Sequence, residues 1–80
     1  MNYKRLQKLE ETLGQLQKVY SELESVRDEE QEDYESMPEF KRYSEVGEVA
    51  RENAEDIDNV ISELDNAIAD LKEIVDNNEG

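Results

Sequence analysis

Carboxylates are the side chains of this chain whose number and spacing best suit them for chemistry. The 80 residues include 23 Asp and Glu against nine Lys and Arg, and there is no His or Cys. Those absences exclude a Ser-His triad, a thiol nucleophile and a zinc site with His or Cys ligands. Paired carboxylates act as general acid and base only in a desolvated cleft. A two-helix rod offers no obvious cleft, so we expect no enzymatic activity and no cofactor.

One group of these carboxylates has the spacing of a calcium ligand set. Residues 56–59 read Asp-Ile-Asp-Asn, as at the start of an EF-hand loop. That loop requires Gly at its sixth position and Glu at its twelfth, where this chain has Ile61 and Ala67. Carboxylates on a solvated helix face explain the pattern better. We therefore expect no metal site.

An acidic block near the middle of the chain is the first candidate for a binding function. Residues 28–40 carry seven negative charges and no basic residue. Acidic side chains near the C-terminal end of a helix oppose its macrodipole, so this placement costs stability. The block is either a solvated helix end or a surface kept acidic for a partner. The residues that we assign to such a surface are Asp28, Glu29, Glu30, Glu32 and Asp33.

A second acidic surface follows from the heptad spacing of the C-terminal half. Asp56, Glu63 and Asp70 recur every seven residues, about 10 Å apart along a helix, and Glu52 extends the same surface. An ordinary exposed helix mixes its charges to gain i to i+4 pairs, and this one largely lacks them. Rows of carboxylates on a rod roughly 20 Å wide produce a field like that of duplex nucleic acid. We expect such a surface to attract a protein groove that binds nucleic acid.

Four large side chains near the midpoint form an alternative contact surface. Tyr34, Met37, Phe40 and Tyr43 recur every three residues, beside a pair of basic residues. We expect them to cap the open end of the helix pair. The alternative is a binding tip, because aromatic residues are enriched in protein interfaces.

Apolar periodicity predicts the elements that position these residues. Apolar side chains recur in alternating steps of three and four from Leu6 to Leu23 and again from Ile57 to Val75, which predicts one buried stripe on each of two helices. Paired antiparallel, the two stripes match along their length. We predict an all-α fold in a single domain, residues 1–80. It is an antiparallel helical hairpin (coiled coil) with helices at about 2–35 and 45–77 and a short helical corner at about 36–44.

The corner has local signals of its own. Residues 36–39 read Ser-Met-Pro-Glu, which is the pattern of a capping box with Ser36 as N-cap and Glu39 three residues later. Ser44 is placed to cap the second long helix through its side-chain oxygen. Gly47 continues the apolar stripe with a small residue, and it is a weak point unless another element packs closely there.

Four further apolar residues widen the stripes beyond what two helices cover. A chain of this length rarely obtains more than ~3–5 kcal/mol from one core, and it has no disulfide or zinc site to add. Val19, Val26, Val60 and Ile74 suit a second hairpin, which gives a dimeric four-helix bundle, or a partner protein in the same place. We therefore expect self-association, with a homodimer as one outcome.

The sequence also bears on location. No apolar run approaches the roughly 18 residues that a membrane span requires. The N-terminal residues lead into an amphipathic pattern and not into the apolar core of a signal peptide. We expect a soluble cytoplasmic protein that has no membrane partner.

These acidic helices resemble those of a known class. In composition, size and helical acidity, the chain resembles the small proteins of phages and mobile elements that inhibit host nucleases, restriction systems or CRISPR effectors by mimicking DNA. The stretch Asp-Glu-Glu-Gln at 28–31, followed by Ser-Met-Pro-Glu at 36–39, is similar to acidic helical proteins of phage and prophage genomes.

The resemblance implies a function and a setting. It implies a non-catalytic inhibitor in a bacterial or phage-infected cell, whose partner is a basic-grooved protein that normally binds nucleic acid. No direct contact with nucleic acid is expected. The alternative, which follows from the residues, is a structural or adaptor coiled coil that binds itself or a partner through its apolar seam.

Overall fold

Two long helices and one short helix make up the structure. The computed structural model describes residues 1–79 and places α1 at Tyr3–Ser36, α2 at Glu39–Arg42 and α3 at Glu45–Glu79. Helices α1 and α3 pack along each other, and the molecule measures 59 × 15 × 14 Å. The predicted all-α hairpin with a short helical corner is confirmed.

Helix α1 begins at a side-chain cap. The Arg5 amide donates to Asn2 Oδ1 (2.9 Å), and the Leu6 amide donates to the Asn2 carbonyl (3.1 Å). Asn is among the residues that best satisfy the free amides at a helix start. Gly14 is the one glycine in α1, and it lies on the exposed side. A Cβ at Gly14 would meet nothing within 4 Å.

The predicted capping box at residues 36–39 is wrong. Ser36 is the last residue of α1, and the N-cap of α2 is Pro38, which makes no side-chain capping bond. The reason is that a residue before proline is excluded from the helical region, so Met37 is extended (φ −69°, ψ 142°). The first bonds of α2 then go to the Pro38 carbonyl, from the Lys41 amide (2.9 Å) and the Arg42 amide (3.0 Å).

The start of α3 packs directly against the end of α2. Ser44 precedes α3, but its hydroxyl donates to the Lys41 carbonyl, so the predicted side-chain cap is replaced by a bond toward the corner. The Ser44 carbonyl accepts from the Glu48 amide (3.0 Å). Gly47 is buried, and a Cβ there would overlap with the carbonyl oxygens of Lys41 and Arg42. Another element does pack closely at Gly47, so the glycine is not a weak point of the helix.

The core is a single seam between α1 and α3. Ile61 and Val75 are each 4% exposed and Ala50 is 8% exposed, while the leucines of both stripes are half-buried. Contacts near both ends of the rod show the antiparallel arrangement. The Met1 amino group donates to Asn78 Oδ1 (3.3 Å), and Arg27 Nη1 bonds Asp58 Oδ1 (2.7 Å). Within residues 1–79, no helix is long and apolar enough to cross a membrane.

Candidate functional site

The acidic line on α3 is exposed along the whole of its length. Glu52, Asp56, Glu63 and Asp70 are all exposed to solvent. We call the residues of the two apolar stripes, which pack between α1 and α3, the seam residues. Asp56, Glu63 and Asp70 each come one residue before a seam residue of α3, so they lie to one side of the seam and toward the back of the helix. Among the described residues, none of these four carboxylates takes part in an ion pair. The line therefore presents its charge to solvent without local neutralisation.

The acidic block on α1 is less uniform. Asp28, Glu29, Glu32 and Asp33 are exposed, whereas Glu30 is half-buried. The alternating three-four spacing of α1 continues past its last leucine through Arg27, Glu30 and Tyr34. Glu30 therefore belongs to the helix seam, and it contributes less to an outer acidic surface than its four neighbours do.

Helix packing brings the two acidic surfaces into a defined order along the rod. Because Arg27 bonds Asp58, the block at residues 28–33 lies beside the part of α3 that precedes Asp58. Glu52 and Asp56 are therefore near the level of this block, at the corner end. Glu63 and Asp70 continue the acidic surface toward the chain ends. The acidic side chains thus form a discontinuous strip along the molecule and do not converge on one point.

A charged groove lies on the other side of the seam. It is an open depression of about 410 Å³ between α1 and α3, near the corner. Its lining residues are mostly those that directly follow seam residues: Asp28, Gln31, Glu35, Arg51, Glu55 and Asp58, together with Arg27, Tyr34 and Ala54. Small Ala54 leaves room between the helices there, and the long side chain of Arg27 crosses it.

Arginines neutralise much of the charged groove. Arg27 bonds Asp58 on α3. Two of its nitrogens also bond Asp28 on its own helix (3.1 and 3.2 Å), and Arg51 bonds Glu55 (2.9 Å). The hydrogen bond to Asp58, followed by the bond to Asp28, raises the pKa of Arg27 above its ordinary value. These ion pairs are exposed and contribute little to stability. Their effect is to make this side of the rod less negative than the side that carries the acidic line.

Like charges meet at the other end of the rod. The pKa of Glu79 is raised, first by a hydrogen bond shared with Glu10 and then by the negative charge of Glu10. The carboxylate of Asp76 adds to the same effect. Within residues 1–79, no three carboxylates converge into a group suited to a metal ion.

The corner exposes two of its aromatic side chains. Tyr34 and Met37 are half-buried, but Phe40 is 76% exposed and Tyr43 is 82% exposed. Our expectation that all four side chains cap the hairpin core is therefore wrong for Phe40 and Tyr43. The physical reason is that Gly47 admits the backbone of residues 41 and 42 against α3, and this leaves no space in which the neighbouring aromatic side chains could insert.

Arg27 and its groove were missed by sequence reasoning. The available signal was the stripe itself, because one further step of four from Leu23 reaches Arg27, and small Ala54 faces it across the hairpin. A polar seam residue opposite a small one indicates a side chain that crosses the seam.

Comparison with protein-family models, curated proteins and solved structures finds no match to this chain.

Proposed function

We propose that this protein is a non-catalytic inhibitor that mimics nucleic acid and occupies the basic groove of a host defence, nuclease or repair protein. The observation that supports the proposal is the exposed, unpaired acidic line Asp56, Glu63 and Asp70 on an elongated helical rod. A groove that binds phosphates carries Lys and Arg, and it attracts carboxylates in rows by the same long-range field. The proposed setting is the cytoplasm of a bacterial or phage-infected cell.

The dimensions of the rod support this proposal. Two helices side by side, with their side chains, are about 20 Å wide. A net charge of −14 spread over 59 Å is one negative charge per about 4 Å. Duplex DNA carries one per ~1.7 Å, and each of its strands one per ~3.4 Å. One hairpin therefore approaches the linear charge density of a single DNA strand.

The mode of action follows from what the acidic line offers. Carboxylates accept hydrogen bonds from the Lys and Arg side chains that otherwise contact phosphates. They present no base edges, so the contact depends on charge and shape alone. Occupying the groove blocks access to DNA without any covalent step.

The experiment is displacement from immobilised DNA. A bacterial lysate is loaded on duplex DNA-cellulose, and the purified protein is applied in excess at low salt. We expect it to release a subset of bound proteins and to co-elute with at least one of them. The double variant Glu63→Lys, Asp70→Lys reverses the charge of two carboxylates of the acidic line and should release none.

A matched variant controls for net charge. Glu10→Lys with Glu11→Lys makes the same change in net charge on α1, on the side of the rod that faces away from the acidic line. The proposal predicts that this control releases the same proteins as the natural chain. Equal loss of release in both double variants would show a non-specific polyanion effect, and release that survives the Glu63 and Asp70 reversals would exclude mimicry.

The exposed corner favours a second candidate, a structural or adaptor module. The apolar seam is occupied within the chain, so a partner bound through the seam itself would have to displace a helix. Phe40 and Tyr43 instead form an exposed tip of the kind that anchors interfaces. Replacing both with Ser should abolish partner capture under this alternative. It should leave DNA-cellulose release unchanged under the proposed inhibitor function.

A further inference from the structure

We propose that a second copy of this chain covers one lateral face of the hairpin, with the two rods packed end over end about a two-fold axis perpendicular to their length. The face consists of the residues that come just before alternate seam residues on both helices. We name its apolar members the apolar lateral row: Val19 and Val26 on α1, and Val60, Ala67 and Ile74 on α3. This inference stands independently of the proposed function.

Helix geometry places these residues on the same side of the rod. Each residue of the row precedes a seam residue, as Val19 precedes Tyr20 and Val60 precedes Ile61. One residue corresponds to about 100° of rotation. Because α1 and α3 run antiparallel and face each other, the same rotation on each turns both rows toward one side. The charged groove is lined by residues that follow seam residues, and it lies on the opposite side.

The row is apolar and uncovered. The three valines and Ile74 are between 42% and 48% exposed, and Ala67 is also exposed. On α3 the same heptad position holds Val46, Asn53, Val60, Ala67 and Ile74, so it carries no charge in a chain that is 40% charged. A charged side chain costs nothing at a position that stays in water. A row that lacks charged side chains is therefore expected to be covered by another surface.

The surface area indicates how much is to be covered. The chain exposes 6102 Å². The size scaling of compact folded monomers gives about 5000 Å² for a chain of 9.3 kDa. The difference is about 1100 Å², and each partner in a standard stable interface buries about 800 Å². The elongated hairpin therefore exposes enough surface beyond that of a compact monomer to supply one side of a stable dimer interface.

Charge complementarity selects the end-over-end arrangement. On α1 the heptad position of the row reads Arg5, Thr12, Val19, Val26 and Asp33. Rotation about Val19 places Arg5 of one copy opposite Asp33 of the other, and Thr12 opposite Val26. On α3 the equivalent rotation about Val60 places apolar or neutral residues opposite one another. Both contacts repeat by symmetry, as an isologous interface requires.

The other two-fold arrangement is less favourable. An axis along the rod lays α1 of one copy over α3 of the next. Arg5 and Asp33 would then each face the uncharged row of α3 and lose water without gaining a partner, which is costly. The end-over-end arrangement avoids that cost. It does bring the acidic lines of the two copies near each other at the rim, where salt screens their repulsion.

The test is cysteine cross-linking, since the chain has no native Cys. Val19→Cys lies at the two-fold axis, so we expect efficient oxidation to a disulfide-linked dimer at micromolar protein. Val26→Cys should cross-link poorly with itself but efficiently when mixed with Thr12→Cys. Failure of Val19→Cys to cross-link, or cross-linking only of Val19→Cys with Val60→Cys, would overturn the end-over-end dimer.

Sedimentation equilibrium gives the second readout. We expect a mass of about twice 9.3 kDa for the natural chain. Val60→Glu should weaken the dimer about a hundredfold, because each copy loses one buried valine and gains a carboxylate there. Tyr3→Glu, on the opposite lateral face and 77% exposed, is the control and should leave the mass unchanged. Circular dichroism checks that each variant remains helical, and a monomer at every concentration would exclude the proposal.

Discussion

Gly47 shows how one residue fixes the geometry of the corner. It is buried, and the carbonyl oxygens of Lys41 and Arg42 occupy the space where its side chain would be. A glycine inside a helix normally destabilises the helix. Here that cost is offset because α2 can approach α3 by backbone contact. The angle at which the chain reverses therefore depends on the absence of a side chain at Gly47.

Substituting Gly47 with Ala should destabilise the protein. The added Cβ must displace backbone atoms, which cannot move as a flexible side chain does, and we expect a loss of about 1–3 kcal/mol. Gly14→Ala is the matched control, because nothing lies within 4 Å of its Cβ. It should gain up to ~1 kcal/mol from helix propensity. Urea unfolding followed by circular dichroism measures both changes, and a Gly47→Ala variant at least as stable as the natural chain would contradict this packing.

Residue-scale features divide into those that could be predicted from the sequence and those that could not. The need for close packing at Gly47 was predictable, because glycine on a helix seam is costly without it. The Arg27–Asp58 pair was not predicted, since the predicted stripe of α1 ended at its last leucine. The capping box at Ser36 was predicted wrongly because its pattern competes with the effect of Pro38 on the preceding residue. The backbone restriction was the stronger of the two.

At the scale of elements, the two long helices were predictable and the environment of the corner was not. Hydrophobic periodicity over many turns defines α1 and α3, and local errors do not alter it. The four-residue helix α2 has no such periodicity. The directions of the aromatic side chains in and beside α2 follow from the path of the backbone, which depends on the contact at Gly47. Spacing alone therefore predicted the side chains of Phe40 and Tyr43 to be inside, and they are exposed.

Substitutions in the corner should separate exposed from packed residues. Phe40→Ser and Tyr43→Ser should each change the free energy of unfolding by less than ~0.5 kcal/mol, because both side chains are mostly in water. Met37→Ala should cost about 1 kcal/mol, since Met37 is half-buried. Chemical denaturation gives the comparison. A large loss on replacing Phe40 would mean that the aromatic residues do cap the core.

The meeting of α1 and α3 at the chain ends predicts a pH effect. The pKa of Glu79 is raised in the folded protein by the hydrogen bond with Glu10, so the folded state binds this proton more readily than the unfolded state does. The resulting stabilisation is complete below the ordinary value of 4.5 and is lost as the pH rises through the raised pKa. Stability should therefore increase as the pH falls from 7 toward 4.5.

Glutamine at Glu79 isolates this contribution. Glu79→Gln should reduce the gain in urea midpoint between pH 7 and pH 4.5, because its side chain no longer takes up a proton. Glu11→Gln controls for the loss of one negative charge near the same end. An unchanged pH dependence in Glu79→Gln would argue that Glu10 and Glu79 do not share a proton.

At the scale of the whole molecule, self-repulsion is the main electrostatic effect. The net charge is −14, and the described residues include one ion pair between the helices, Arg27 with Asp58. At 0.1 M salt, repulsion between exposed charges more than about 10 Å apart is largely screened. The melting temperature should therefore rise between 20 mM and 300 mM NaCl. A flat or falling melting temperature would indicate that favourable ion pairs dominate.

The proposed dimer would change the charge per unit length on which the proposed inhibitor function depends. One hairpin carries one net negative charge per about 4 Å of its length. Two hairpins side by side carry one per about 2 Å over the same 59 Å. The latter is close to the ~1.7 Å spacing of duplex DNA. A dimer would thus make the acidic surface more like a duplex, although neither proposal requires the other. Salt separates them, because screening strengthens a dimer of like-charged rods and weakens binding to a basic groove.

The salt dependence of partner binding tests the central claim most directly. The protein released from DNA-cellulose is purified, and its dissociation constant with the hairpin is measured by calorimetry between 50 and 200 mM NaCl. Nucleic-acid mimicry predicts that affinity falls steeply, by at least about tenfold over this range, because carboxylates replace phosphates at basic side chains. An affinity that stays constant across the same salt range would contradict mimicry and would indicate apolar contacts instead.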